Sequence, residues 1–284
     1  MKLGMENTAI AQGDRGGEGA GAPIVLVAGG KGGVGKSLVA ANLALQLRLE
    51  GARVLLCDLD LGLGNASVLF DVTPERTIED ALRGDVEDLA ECVAEGPNGL
   101  HLLCASSGTH SMAGLGQNSR RALWSGLREL RFEYDIVIAD GAAGIGPDLL
   151  EFAPAADRVL VVTTPQPAAL TDAYGLIKAL GDPERVGTTD VATPELFVNQ
   201  ASGIAEAEST ASRLRATCER FLARSPRFVG WLPWSASVAE SACSRRPFVL
   251  DQRSGAALER RSLQALGSRF KRRLKLDSCL ASLP

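Results

Sequence analysis

Several protein classes are excluded by what this chain has little of. Among 284 residues there are only two histidines, His101 and His110, and no Cys-x-x-Cys pair, so no zinc-ligand spacing exists. The six cysteines (Cys57, Cys92, Cys104, Cys218, Cys243 and Cys279) stand apart from one another and read as reduced thiols of a cytosolic core. No uninterrupted apolar run approaches the roughly 20 residues of a bilayer-spanning helix, and the N-terminus has no apolar secretory segment. The expected compartment is the cytoplasm. Positive charge is not in excess: 30 Lys and Arg against 34 Asp and Glu give a net charge of −4, which argues against broad, direct nucleic-acid binding. A hydrophobic content of 45% and a charged content of 23% describe an ordinary globular protein with ample chain to bury a core.

The most informative segment is Gly30-Lys31-Gly32-Gly33-Val34-Gly35-Lys36-Ser37, which follows the apolar run Ile24 to Ala28. A strand feeding a glycine-rich turn and then a helix is the context in which Gly-x-x-x-x-Gly-Lys-Ser cradles phosphate. Gly30, Gly32, Gly33 and Gly35 leave backbone N–H groups free to converge on phosphate oxygens, and a helix opening at Ser37 adds its positive dipole end. Lys36 is placed to reach the β- and γ-phosphates, and the Ser37 hydroxyl to ligate magnesium. ATP and Mg2+ are the ligands expected here, with Val34 and Leu38 completing the cradle.

Residues 1–22 are rich in Gly and Ala and too poor in large apolar residues to fold alone, so they read as a flexible tail. Residues 23–284 read as one domain. Strand candidates Val54–Cys57, Leu100–Leu103, Ile136–Ala139, Val159–Val162, Leu196–Val198 and Phe228–Leu232 alternate with helices near Leu38–Glu50, Ser119–Arg131, Ala168–Leu180 and Ala205–Leu222. Several of the runs are unalternating and β-branched, as in strands buried on both faces. The fold class is doubly wound α/β, a mostly parallel sheet with helices on both faces.

Ligands bind beyond the carboxyl ends of such strands. The second strand ends Cys57-Asp58-Leu59-Asp60, where Asp60 is the candidate for orienting an attacking water. Asp58 is the candidate for touching the magnesium hydration shell, because magnesium keeps several waters and few direct protein ligands. Either aspartate can instead simply turn the chain after its strand. Tyr134 to Asp140 is an apolar strand ending in a carboxylate, the arrangement by which phosphate-loop enzymes hold magnesium, so Asp140 takes that role. Gly141 to Gly146 follows as a candidate switch that rearranges when a γ-phosphate comes or goes.

The octet, with its extra lysine at Lys31, resembles the deviant Walker A motif of the MinD/ParA family of P-loop ATPases. Within that family Asp58 to Asn65, Ala105 to Met112, Ala142 to Gly146 and Thr171 to Lys178 look like the FleN/FlhG branch, which limits flagellar number. The similarity runs from about Ile24 to about Leu266. It implies an ATP-bound homodimer in which Lys31 crosses to the partner's phosphates, as an arginine finger does elsewhere. It also implies adenine recognition by Asn199 and Pro233, with Trp231 and Trp234 flanking the latter. The partners implied are a flagellar transcription activator of the FleQ type and the GTPase FlhF. The tail, however, lacks the Asp-Gln-Ala-x-x-Leu-Arg element through which some relatives stimulate FlhF. Two further departures, Gly141 where many relatives carry Thr and Ser235 where they often carry Asp, point to weaker hydrolysis or coupling. A positioning ATPase of cell division or DNA partition, and a non-hydrolysing ATP-gated interaction module, are the alternative functions.

Near residues 258–276, Leu263, Leu266, Phe270 and Leu274 share one helical face, with Arg269, Lys271, Arg272, Arg273 and Lys275 around the rest. That pattern fits peripheral contact with anionic lipid on the inner face of the membrane, and equally a last helix packed on the sheet.

Overall fold

The computed structural model describes residues 21–61, 64–106, 117–251 and 256–273. Eight strands form one sheet in the order β3-β4-β2-β5-β1-β6-β7-β8. They are β1 (Ile24–Gly29), β2 (Val54–Asp58), β3 (Val93–Glu95), β4 (His101–Leu103), β5 (Ile136–Ala143), β6 (Arg158–Thr163), β7 (Glu195–Ala201) and β8 (Arg227–Pro233). Every neighbouring pair is parallel except β3 with β4. β3 is absent from the sequence reading because its three residues carry no apolar run and are half-buried or exposed.

Side chains alternate across the sheet. From β1, Ile24, Leu26 and Ala28 enter one core and Val25 and Val27 the other. The first core is covered by α3 (Ile78–Arg83), α4 (Gln117–Leu130), α5 (Pro147–Phe152), α6 (Pro167–Leu180), α7 (Pro183–Val186) and α8 (Ile204–Leu222). The second is covered by α1 (Lys36–Leu49), α2 (Ala66–Phe70) and α10 (Ala257–Arg273), with α9 (Ala236–Cys243) at its rim. Four of these helices have six residues or fewer, too short to show a 3.6-residue period.

Of the two readings of the last helix, its described apolar face follows the packed one. Leu263, Leu266 and Phe270 are at most 1% exposed and pack into the second core. Lys271 forms a 2.8 Å ion pair with Glu50, and its Nζ also donates to the Glu50 carbonyl at the end of α1. Burying each such apolar side chain stabilises by about 1.5–3 kcal/mol, so this face is committed to the protein interior. Leu274, Lys275 and the rest of the basic stretch lie outside the described residues.

At the other terminus, the Ala22 N–H donates to the Arg131 carbonyl at 3.1 Å and Arg131 donates to the Gly21 carbonyl at 3.0 Å, which ties the start of β1 to the end of α4.

Candidate functional site

β1 lies in the middle of the sheet between β5 and β6, and its carboxyl end delivers the glycine-rich turn. Gly33 and Gly35 have φ of 80° and 87°, the left-handed region in which a side chain is strained. Gly35 caps α1, which begins at Lys36, one residue earlier than the sequence suggests. Gly30 is fixed by contact: a Cβ there would sit 2.0 Å from the Asp172 carbonyl of α6. Lys31, Gly32 and Gly33 form the exposed tip, whereas Val34 and Lys36 are buried and Ser37 and Leu38 half-buried. The Lys36 stem passes beside Gly29, where a Cβ would meet Lys36 Cδ at 2.7 Å. The loop thus presents a glycine-rich turn, an exposed lysine at its tip and a second lysine drawn in beneath it.

Below the loop, β2 and β5 bring two carboxylates to the same level, with Asp58 and Asp140 as register partners. They are engaged differently. Asp58 is fully buried and accepts three backbone N–H groups: Asp60 at 3.1 Å, Asn65 at 2.7 Å and Ala66 at 2.9 Å. Its carboxylate therefore holds the turn between β2 and α2, the structural alternative left open by the sequence. Burial pushes it up to about 6, against the pull of those N–H groups. Asp140, also buried, has the Ser37 hydroxyl near enough to favour its charged form but keeps one oxygen, Oδ1, without a hydrogen-bond partner among the described residues. Burial first, then the Asp58 charge, raises it to about 7, while Lys36 acts in the opposite sense. An unpartnered buried carboxylate oxygen beside a serine hydroxyl is an all-oxygen donor set of the kind a hard cation that keeps its own waters takes, so the residues fit magnesium. Asp60 is half-buried at the rim, close enough to both carboxylates to raise them.

The sequence reading needs adjustment at the switch candidate. β5 does not stop at Asp140 but continues to Ala143, because Ala143 pairs with Gly29 and Gly144 N–H donates to the Gly29 carbonyl at 2.9 Å. Only Gly144 to Gly146 form the turn into α5. Gly141 sits inside the strand, where a Cβ would approach Leu149 Cδ1 to 2.5 Å, so a larger residue requires Leu149 to move.

Asn199 on β7 and Pro233 on β8 lie at the carboxyl ends of adjacent strands. Asn199 is buried, and its Nδ2 donates to the Val34 carbonyl at 2.8 Å. Trp231 is half-buried and packs on the α8 side of the sheet, whereas Trp234 is 69% exposed. Sequence reasoning missed the Val34 carbonyl and Gln200, whose roles depend on backbone geometry that no side-chain pattern announces. Ser107 to Met112, which carried part of the branch resemblance, lie outside the described residues, as do Gly62 and Leu63.

Residues 22–185 match a family model described as an AAA domain. The antiactivator FleN of Pseudomonas aeruginosa is 37% identical over 223 residues, covering 78% of each chain. The chain belongs to the MinD/ParA family of P-loop ATPases, in its FleN-like branch. A second relative in that branch, the flagellum site-determining protein YlxH of Helicobacter pylori, is 37% identical over 155 residues, 55% of this chain and 52% of its own. The MinD/ParA fold is borne out by the septum site-determining protein MinD of Pyrococcus horikoshii in complex with Mg-ADP. That structure superposes with a TM-score of 0.67 at 20% identity over 87% of this chain and 95% of that one. Membership of the MinD/ParA family makes the chain an ATPase-family protein.

Proposed function

We propose that the chain is a magnesium-dependent ATP switch that pairs with a second copy of itself when ATP is bound and separates after hydrolysis. The observation that carries this reading is the Asp140–Ser37 pair beneath the loop, with one buried carboxylate oxygen left for a cation. Ser37 and Asp140 would hold magnesium, which would supply the positive charge that offsets the phosphates. Backbone N–H groups of Gly30 to Ser37 bind the phosphates, and Lys36 places its charge on them. Asp60 at the rim orients water in line with the γ-phosphate. The exposed Lys31 reaches the phosphates of the partner subunit, and a cation delivered in this way is worth about a thousandfold or more in rate. Asn199 and Pro233 flank the base. Because hydrolysis waits on pairing, the turnover of the isolated chain is slow and responds to partners.

The likeness to an antiactivator and to a flagellum site-determining protein supports flagellar number control as the output, with the ATP-bound pair restraining a transcription activator of the FleQ type. Light scattering with saturating Mg-ATP tests the switch. The parent chain is expected to pair, Lys31→Ala to bind nucleotide yet stay monomeric, and Asp60→Ala to pair while losing turnover. A parent chain that stays monomeric removes the reading. Flagellar counts in a deletion strain test the output, and normal counts with displaced septa would favour the positioning ATPase instead.

A further inference from the structure

Gln200 follows Asn199 directly and is one of five non-glycine residues among those described with positive φ, at 58°. An L-residue with an exposed, unbranched side chain gains nothing from that conformation on its own. What the conformation does is local. The register of β7 against β8 shifts between Val198 and Ala201, a bulge that turns the Gln200 N–H back onto the side chain before it, and this N–H donates to Asn199 Oδ1 at 2.9 Å. With its oxygen held by a donor, the Asn199 amide can only present nitrogen on its other side, and that nitrogen meets the Val34 carbonyl at 2.8 Å. Both ends of the amide are therefore assigned by their partners. The contact is tight: a Cβ on Gly35 would lie 2.3 Å from Asn199 Nδ2.

We infer that Gln200 is a positioning residue of the nucleotide site: its left-handed backbone locks the Asn199 amide, and the locked amide braces the phosphate loop at Val34. This inference rests on the nucleotide reading above and deepens it. Asn199 then has a task independent of any base, since it holds the carboxyl end of β7 and the phosphate loop as one body before a nucleotide arrives. One N–H of its amide is spent on Val34, which leaves a single N–H for a base. The brace costs strain at Gln200, stored where it orders a binding loop.

A ligand with phosphates but no base separates bracing from base reading. Affinities for Mg-ATP and for magnesium tripolyphosphate are to be measured by competition against a fluorescent ATP analogue, alongside thermal melting. Gln200→Val, β-branched and averse to positive φ, is expected to weaken both ligands by the same factor, about tenfold. Gln200→Gly, at home in that conformation, should restore both. Should Gln200→Val fail to fold, Asn199→Asp, which turns an oxygen onto the Val34 carbonyl, provides the same comparison and the same parallel loss. The inference is overturned if these variants weaken ATP and leave tripolyphosphate untouched, for Asn199 would then read the base alone. It is equally overturned if the parent binds ATP but not tripolyphosphate, because a loop braced without a base should grip the bare anion. A parent that binds neither ligand overturns the nucleotide reading itself.

Discussion

At the amino end of the sheet Glu195 is 1% exposed and lies between Arg158, at 3.4 Å, and Arg227, both of which donate to the same carboxylate oxygen. At the carboxyl end Asp58 and Asp140 are as deeply buried, yet the groups that meet them are three backbone N–H, one serine hydroxyl and the field of Lys36. Taking a carboxylate out of water costs several kcal/mol unless an opposite charge or good hydrogen bonds compensate it. Glu195 receives its cations from neighbouring strands and is part of the scaffold. Each keeps one buried oxygen without a hydrogen-bond partner among the described residues, Glu195 Oε2 and Asp140 Oδ1, so charge is what separates them: two arginines sit on Glu195, whereas burial and the Asp58 charge raise Asp140 to about 7 against the field of Lys36. The contrast is between a buried carboxylate that the chain neutralises with two arginines and one that meets a single lysine's field, the arrangement on which the proposed cation role of Asp140 rests.

The largest expected effect breaks that contrast directly. Asp140→Asn keeps the shape of the side chain beside Ser37 but removes the charge that a magnesium ion needs. Mg-ATP turnover is expected to fall about a hundredfold or more, corresponding to the several kcal/mol a correctly held cation supplies. The ligand-free variant should melt no lower than the parent at about pH 8, because a costly buried charge has gone. Magnesium-dependent turnover at the parent's rate in this variant would move the cation site elsewhere.

A pH series sharpens the same comparison. The ordinary value for an aspartate is 3.8, whereas Asp58 is raised to about 6 and Asp140 to about 7 in the folded chain. The unfolded chain therefore releases these protons first. Their contribution erodes the stability of the ligand-free protein as pH climbs from about 4 to about 7 and changes little above that. Magnesium and ATP relieve the repulsion, and the gain in melting temperature on adding them should be larger at about pH 8 than at about pH 5.5. In Asp140→Asn that difference should shrink.

What the sequence disclosed follows the same physical division. The phosphate loop was legible because its chemistry demands particular residue types at fixed spacing, and the central strands because burial on both faces demands unbroken apolar runs. The place of Asp140 near the carboxyl end of its strand was legible from the apolar run before it. Asp58 was ambiguous because two of its three donors, Asn65 and Ala66, lie seven and eight residues downstream and offer backbone, not side chains. The brace at Gln200 was invisible for a similar reason, since a positive φ on a glutamine leaves no mark in composition. The amphipathic stretch from Leu263 to Phe270 specified a buried face but not its neighbour. Only the observed packing of α10 over the second core shows that protein, not lipid, covers it.

The smallest expected effect lies at the amino end, where removing a carboxylate should alter stability and leave the ligand site alone. Glu195→Ala leaves Arg158 and Arg227 adjacent and unneutralised, but their side chains are 28% and 47% exposed, so water absorbs much of the repulsion. A loss of about 1–2 kcal/mol in urea unfolding is expected, below the cost of breaking a fully buried pair. Mg-ATP affinity should stay within twofold, because Glu195 and Asn199 are separated by four residues of extended strand, roughly 13 Å. At that distance independent sites add, and the double variant Glu195→Ala with Asp140→Asn should show the sum of the two stability changes within about 0.5 kcal/mol. A larger departure would mean that β7 transmits strain from one end of the sheet to the other, and the division between a neutralised scaffold end and a cation-requiring ligand end would no longer hold.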